Sequence, residues 1–342
     1  MSEPLVSIII VNWNGVKFLK DCLESVRAQK RNGLEVIFVD NGSTDGSADF
    51  VKKNFPEVVM VEKSENTGFA AGNNSGINIA KGKYILTLNN DTVAEKDFIE
   101  RLVAAAEASG EKTGMWAPKI LSMARPDIID SAGGLLVSKD CLAKGRGRNE
   151  TDAGQYDANG EAFIPSACAA LYRKKMLDEI GLFDEDFFAY CEDTDLGLRA
   201  RLFGWETVSV PSAVIYHYYS GTTGRYAPLK AYLVERNRLW VAIKNLPLSM
   251  LLISPFYTLA RYFTQFYGVI SGKGAGGKAK EEYSVWSLFS SVVRAYYDGI
   301  KKLPVMFSKR KAVQSKRAVS VRDVKKWFSR YGISVTEIAL KD

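Results

Sequence analysis

Val6-Ser7-Ile8-Ile9-Ile10-Val11, close to the start of the chain, holds a single polar side chain in six positions, and the fold is read outward from it. A short run that is nearly all apolar and rich in β-branched residues fits a strand buried on both faces, as strands of a parallel sheet are. Leu34–Val39, Val58–Val61 and Tyr84–Leu88 repeat the pattern. Between these runs, Leu19, Cys22, Leu23 and Val26 recur at helical spacing, Ala48–Asn54 follows the turn-rich Asn41-Gly42-Ser43-Thr44, and Gly72–Ala80 offers a third crossover. Strand and helix in alternation predict a right-handed, doubly wound α/β layer whose ligands sit outside the carboxyl ends of the strands.

From about residue 114 to residue 217 the pattern is mixed. Phe163–Leu171, Thr207–Val210 and Ala213–Tyr216 read as shorter strands, with one helix starting near Lys174 and another at Asp193 that carries Leu196, Leu198, Ala200 and Leu202. A loop over Tyr218–Pro228, rich in Ser, Thr and Gly, leads to a helix with Leu233, Leu239, Trp240 and Ile243. Residues 246–272 are the most apolar stretch, yet Pro247, Pro255 and Arg261 divide it into pieces shorter than the ~20 residues a spanning helix needs, so it is expected to lie at an interface or pack. Val285, Phe289, Val292, Tyr296 and Ile300 mark a further amphipathic helix. Ser320 and Asp323 open a last one, with Val321, Val324, Trp327, Phe328 and Tyr331 opposite Arg322, Lys325, Lys326 and Arg330.

Composition bounds the answer. The chain has 342 residues, 46% hydrophobic, 25% charged and 11% aromatic, which describes a globular protein able to bury a core and excludes a disordered or fibrous one. Cys22, Cys141, Cys168 and Cys191 form no Cys-x-x-Cys pair, which disfavours a thiolate zinc site and a disulfide framework. Acidic Glu3 and the absence of a basic leader predict no secretory signal and a cytoplasmic location. The net charge of +7 is uneven: from Lys273 onward there are 16 Lys and Arg against 6 Asp and Glu, +10, leaving −3 for residues 1–272. Two regions with different partners are expected.

Candidate chemistry concentrates in three places. Asp40 and Asp91 each follow a predicted strand, Asp91 by way of Asn89 and Asn90, and parallel strands open on one crevice. An Asp after a strand is also a common turn former, so the pair weighs more than either alone. Between Asp184 and Asp195 stand six acidic residues interleaved with aromatics, more than helix capping needs, which suits a polar ring such as a sugar. The single histidine, His217, ends a predicted strand before a loop holding Ser220, Thr222, Thr223 and Arg225. One imidazole, one carboxylate and diphosphate oxygens would satisfy a hard divalent cation.

Five ordered motifs carry a resemblance. Val6–Gly15 with Asn12, Trp13 and Asn14; Val39-Asp40-Asn41-Gly42-Ser43; Asn66-Thr67-Gly68 to Asn73-Asn74; Leu88-Asn89-Asn90-Asp91-Thr92; and Gly181-Leu182-Phe183-Asp184 to Glu192-Asp193-Thr194-Asp195, with Arg199 and His217 downstream, resemble family 2 glycosyltransferases of GT-A fold, closest to a bacterial rhamnosyltransferase-like branch. The resemblance, which covers about residues 4 to 245, implies an α/β GT-A fold with a mostly parallel central sheet over residues 1–245, nucleotide-binding to about 113 and acceptor-binding to 245, while charge and apolar pattern predict a helical, basic, membrane-associating region over 246–342. It implies that Asp40 recognises base or ribose beside Asn12 and Asn14, and that Asn66, Gly68, Asn73, Asn89, Asn90 and Arg225 border the nucleotide sugar. Asp91 and His217 match metal-binding positions for Mg²⁺ or Mn²⁺, and Asp193, beside Glu192, matches the catalytic base. Asn89 departs from the pattern, standing where the Asp-x-Asp signature has its first Asp, which removes one negative charge from the metal site. The implied activity is inverting transfer of a sugar, dTDP-rhamnose first and UDP-hexoses next, to a saccharide or lipid-linked saccharide in cell-surface polysaccharide synthesis.

Three other readings compete. Gly272–Lys278 has phosphate-loop spacing, but Ala279 replaces the Mg²⁺-binding hydroxyl and no strand precedes it, so a basic linker is expected. No Gly-x-Gly-x-x-Gly follows the first strand, which disfavours a dinucleotide site. The basic C-terminal region suits anionic lipid better than nucleic acid, because residues 246–272 and the basic amphipathic end would act together on the inner face of a membrane.

Overall fold

β1 (Val6–Asn12) sits inside a parallel block with β2 (Leu34–Asp40), β3 (Val59–Glu62) and β4 (Tyr84–Asn89), and α1 (Val16–Arg27), α2 (Ser47–Asn54) and α3 (Gly68–Ile79) are its crossovers. The structure, a computed structural model, describes residues 4–158, 160–218 and 227–341. The four apolar runs are thus parallel strands as their composition predicts, except that β3 lies at the sheet edge with Val59 45% exposed. Ile8, Ile10, Phe38 and Leu86 are fully buried in one core with Leu19, Leu23 and Trp116. The described residues divide into two compact units interleaved along the chain: residues 4–134, 145–189 and 205–218 form the first, and 135–144, 190–204 and 227–341 the second.

The chain continues through β5 (Thr92–Ala94), α4 (Phe98–Ala108), β6 (Thr113–Ser122), β7 (Ile129–Ala132), β8 (Leu135–Val137), β9 (Ala143–Gly145), β10 (Gly160–Ala162), β11 (Ala169–Arg173), α5 (Lys174–Ile180), α6 (Glu192–Leu202) and β12 (Glu206–His217). The large sheet has the order β10-β12-β6-β11-β4-β1-β2-β3, and β11 enters antiparallel to both neighbours, so the parallel block gives way to a mixed one. Two expectations need correction here. The strand predicted over Phe163–Leu171 starts only at Ala169, because Pro165 has no N–H for a ladder and Ala167-Cys168 turn. Thr207–Val210 and Ala213–Tyr216 are one strand, and the register shift between Val210 and Val214 absorbs Pro211.

The second unit is mostly helical, with α6, α7 (Pro228–Asn245), α8 (Leu248–Ser271), α9 (Gly274–Glu282), α10 (Val285–Lys301), α11 (Leu303–Ser315), α12 (Val321–Arg330) and α13 (Val335–Leu340). Contrary to the predicted fragmentation, α8 is one 24-residue helix. Pro247 only caps it, and Pro255 lies on its exposed face, where the carbonyl it leaves unpaired is open to water. Arg261 is fully buried and paired with Glu235 Oε1 at 2.7 Å and Asp140 Oδ2 at 2.8 Å. Arg238 joins the same network through Glu235 Oε2 at 2.6 Å. Burial pushes the Glu235 carboxyl up, but the two guanidiniums outweigh it and hold it at about 2.

The opposite face of α8 is apolar and exposed, with Phe256 at 70% and Phe263 at 75%, and α10 presents Trp286, Phe289 and Tyr297 in the same way. Among the described residues no helix is long and apolar enough to cross a membrane. The predicted capping box at Ser320 and Asp323 is present, but the apolar stripe of α12 is not free: Val324, Phe328 and Tyr331 are buried within the unit. Only Gly272 and Lys273 lie between α8 and α9, and Gly274–Lys278 are already helical, so the expected basic linker shrinks to two residues and the segment follows a helix, without the strand-to-helix switch of a phosphate loop.

Candidate active site

Strand register explains why polar residues far apart in sequence meet in the first unit. Asn12 pairs with Asp40 and Val11 with Asn89, so β1, β2 and β4 end side by side at their carboxyl edge. Asn12 Nδ2 donates to Ser43 Oγ at 3.1 Å and lies 3.4 Å from Asp40 Oδ1, while its Oδ1 accepts from Asn90 Nδ2 at 2.6 Å. Asp40 Oδ2 accepts from Ser43 N at 3.1 Å, closing the turn after β2. Asn14 takes a left-handed backbone, φ 51, and its side chain accepts from Thr44 N at 2.8 Å. A Cβ on Gly15 would overlap Asn90 Nδ2 and Asn12 Oδ1, so only glycine lets the first loop approach this edge.

Asn66 and Gly68 close the same rim. Asn66 Oδ1 accepts from Asn41 Nδ2 at 3.0 Å and from Gly68 N at 2.9 Å. Gly68 has φ 87 and packs against Phe188, where any side chain would collide with the Phe188 carbonyl. Asn73 is buried and donates back to Phe69 O at 2.9 Å, an intrahelical bond. Arg225 and its neighbours Ser220, Thr222 and Thr223 lie outside the described residues.

His217 meets Asp91 because β12 pairs antiparallel with β5, and Tyr218 N donates to Asp91 O at 2.9 Å. His217 Nε2 stands 3.4 Å from Asp91 Oδ1, an ion-pair distance without hydrogen-bond geometry. Its other nitrogen, Nδ1, is 2.7 Å from Asp130 Oδ2, and Arg148 binds the second Asp130 oxygen at 2.7 Å. Burial favours a neutral imidazole, but Cys168, Asp130 and Asp91 outweigh it and raise the His217 pKa well above its ordinary value. Asp130 carried no sequence signal, because only the pairing of β7 with β6 and of β6 with β12 brings it here.

Asn89 Oδ1 and Asp91 Oδ1 are both buried without a hydrogen-bond partner. Orphaned oxygens of this kind are costly unless a ligand meets them, and carboxylate and amide oxygens are hard-cation ligands. The donor set fits Mg²⁺ or Mn²⁺ held by few protein groups and completed by phosphate oxygens. Among the described residues no group of three His, Cys, Asp or Glu side chains has metal-binding geometry.

The second unit carries the acidic pair at the start of α6. Tyr190 and Cys191 have φ 68 and 66, strained values for non-glycine residues, and such strain gathers at functional sites. Three carboxyls follow in different surroundings. Asp195 is fully buried, yet Lys244 at 2.8 Å and Arg199 at 2.9 Å overcome the burial and lower its pKa. Glu192 is 5% exposed, and burial, then Asp193 and Asp195, raise its pKa well above the ordinary carboxylate value, leaving Oε2 unpartnered. Asp193 is half-buried, and its Oδ1 accepts from Thr194 N at 2.7 Å. Groups whose environments push their pKa values apart are how one site separates acid from base roles.

The parallel block feeding a mixed sheet, with polar residues gathered at its carboxyl edge, defines a GT-A-type α/β fold. The sequence model described as "Glycosyl transferase family 2" matches residues 7–181, just over half of the chain, and the chain belongs to that family. Glycosyltransferase GlyG of Streptococcus pneumoniae is 37% identical over 105 residues, 30% of this chain and 35% of that one. An uncharacterized glycosyltransferase, EpsJ of Bacillus subtilis, is 27% identical over 205 residues, 58% of this chain and 56% of that one. The chain therefore spans less than two thirds of the length of these curated relatives. A solved mannosyltransferase from Pyrobaculum calidifontis, in complex with GDP-Man and Mn²⁺, shares the fold with TM-score 0.56 and 16% identity, covering 89% of each chain.

Proposed function

We propose that the protein is an inverting glycosyltransferase that moves a sugar from a nucleoside-diphosphate donor to a saccharide or lipid-linked saccharide acceptor in cell-surface polysaccharide synthesis. The supporting observation is the carboxyl edge of β1, β2 and β4, where Asn12, Asp40 and Asn89-Asn90-Asp91 lie adjacent and two buried oxygens lack hydrogen-bond partners. Asp40, Asn12 and Asn14 hold the nucleoside; Asn66, Gly68 and Asn73 border it. Asp91 and His217 would hold Mg²⁺ or Mn²⁺, which would supply charge stabilisation for the diphosphate. Arg225 is assigned to the same diphosphate by motif alone.

In this reading Asp193 takes the acceptor hydroxyl proton as the new C–O bond forms and the bond to the diphosphate breaks, giving inversion without a covalent intermediate. Burial favours the uncharged form of Glu192 beside it. The choice of dTDP-rhamnose ahead of UDP-hexoses rests on motif resemblance, and a panel of nucleotide sugars read by thermal stabilisation tests it. A shift with dTDP-rhamnose above the others supports the choice, and preference for another donor replaces it. The catalytic domain is assigned to residues 1–245.

Attachment to the inner face of a membrane is the companion proposal. It is supported by the exposed apolar faces of α8 and α10 in the second unit, far larger than isolated surface side chains. Sedimentation of the full chain with anionic vesicles at low salt tests it, and failure to sediment defeats it.

A further inference from the structure

The second unit contains a cavity of about 490 Å³ where the start of α8 meets α11 and Val321 of α12. Three cations line it, Arg310, Lys311 and Arg317, and no carboxylate does. Among the described residues none of the three makes an ion pair with a carboxylate. Arg310 Nη1 is spent on backbone, donating to Ile243 O at 2.6 Å and Leu246 O at 2.7 Å, and Arg317 Nη1 donates to Gln314 Oε1 at 3.2 Å. Like charges without a counter-ion repel, and burial with the Arg317 cation lowers the Arg310 pKa.

The rest of the lining is largely apolar. Leu248, 62% exposed, and Phe307, 50% exposed, belong to it, and Leu248 begins the apolar exposed stripe that runs along α8 through Leu252, Phe256 and Phe263. A concave cationic site opening onto an apolar face matches one chemistry, a phosphate group joined to hydrocarbon chains. Arg and Lys recognise phosphate by charge-assisted hydrogen bonds, and apolar side chains cover acyl chains.

We propose that this cavity binds the phosphate headgroup of an anionic membrane phospholipid, with the acyl chains lying against the exposed face of α8. The site rests on the membrane-attachment reading but is separable from it. It gives attachment a headgroup preference and a fixed orientation, which an apolar face alone does not.

The test uses the full chain and vesicles of phosphatidylcholine with and without phosphatidylglycerol. Lys311→Gln with Arg317→Gln removes two cavity charges while sparing Arg310, which ties down the end of α7. Lys325→Gln with Lys326→Gln removes two exposed charges elsewhere and is the matched control. The cavity variant is expected to bind phosphatidylglycerol vesicles about tenfold or more weakly than the control, with unchanged thermal stability. Equal losses in the two variants would reduce the effect to general surface charge and overturn the site while leaving membrane attachment intact. A wild-type chain that binds no vesicle overturns both. Stabilisation by inorganic phosphate as strong as by a short-chain phosphatidylglycerol would mark a soluble-anion site and overturn the lipid assignment.

Discussion

Replacing Glu192 by Gln and, separately, Asp193 by Asn distinguishes two adjacent carboxyls that differ in burial, Glu192 buried and Asp193 half-buried. Glu192 is 5% exposed, and burial, then the neighbouring Asp193 and Asp195, raise its pKa well above the ordinary carboxylate value, which favours its uncharged form. Gln has the shape and charge of that uncharged form, and Oε2 has no hydrogen bond to lose, so the variant is expected to change stability by no more than about 1 kcal/mol. Turnover should remain within about fivefold, under about 1 kcal/mol of barrier. Asp193 is half-buried and solvent-accessible, and its replacement removes the proton acceptor, worth about 10² to 10⁴ in rate, roughly 3 to 5 kcal/mol. Nucleotide release from a donor-acceptor mixture, followed alongside calorimetric donor binding, reads both. Donor affinity should stay within about twofold in Asp193→Asn. A collapse of turnover in Glu192→Gln matching that of Asp193→Asn would refute the assignment of a neutral acid at 192 and a base at 193.

Further outcomes follow from the same geometry. Asp130→Asn should weaken Mn²⁺ binding about 10- to 100-fold, measured by electron paramagnetic resonance without substrate turnover, because Asp130 orients His217 through Nδ1. Unchanged Mn²⁺ affinity would remove Asp130 from that role. Lys244→Met should destabilise the protein by about 3 to 5 kcal/mol in urea unfolding, since it strips a partner from fully buried Asp195. Glu235 titrates at about 2 in the folded protein against an ordinary 4.5, so its stabilisation is complete above about pH 4.5 and lost as the pH falls toward 2. That gap is worth about 3 kcal/mol, and Glu235→Gln should flatten the acid limb of a stability-against-pH series.

Local pattern carried the parallel block well. β1, β2 and β4 need only continuous apolar runs, and their shared direction sets Asp40 and the Asn89-Asn90-Asp91 turn on one edge. What local pattern could not carry depends on partners distant in the chain. Arg261 breaks an apolar run in sequence, yet Asp140 and Glu235 neutralise it inside the second unit, and α8 runs through unbroken. Pro211 divides a predicted strand pair, but a register shift against β6 joins the pieces. Asp130 reached His217 only through two successive strand pairings, and no spacing rule anticipates that. The stripe of α12 was legible as amphipathic, though the pattern alone does not say whether protein or lipid covers it, and here Val324 and Phe328 are covered by protein.

The central claim is that the carboxyl edge of β1, β2 and β4 binds a nucleoside-diphosphate sugar. Calorimetric titration of the full chain with dTDP-rhamnose and the UDP-hexoses in the presence of Mn²⁺ tests it most directly, with Asp40→Ala and Asp91→Ala in parallel. Saturable binding of at least one donor, lost in Asp40→Ala and weakened in Asp91→Ala, is the predicted result. Binding of equal strength in wild type and both variants would place the donor elsewhere and contradict the account.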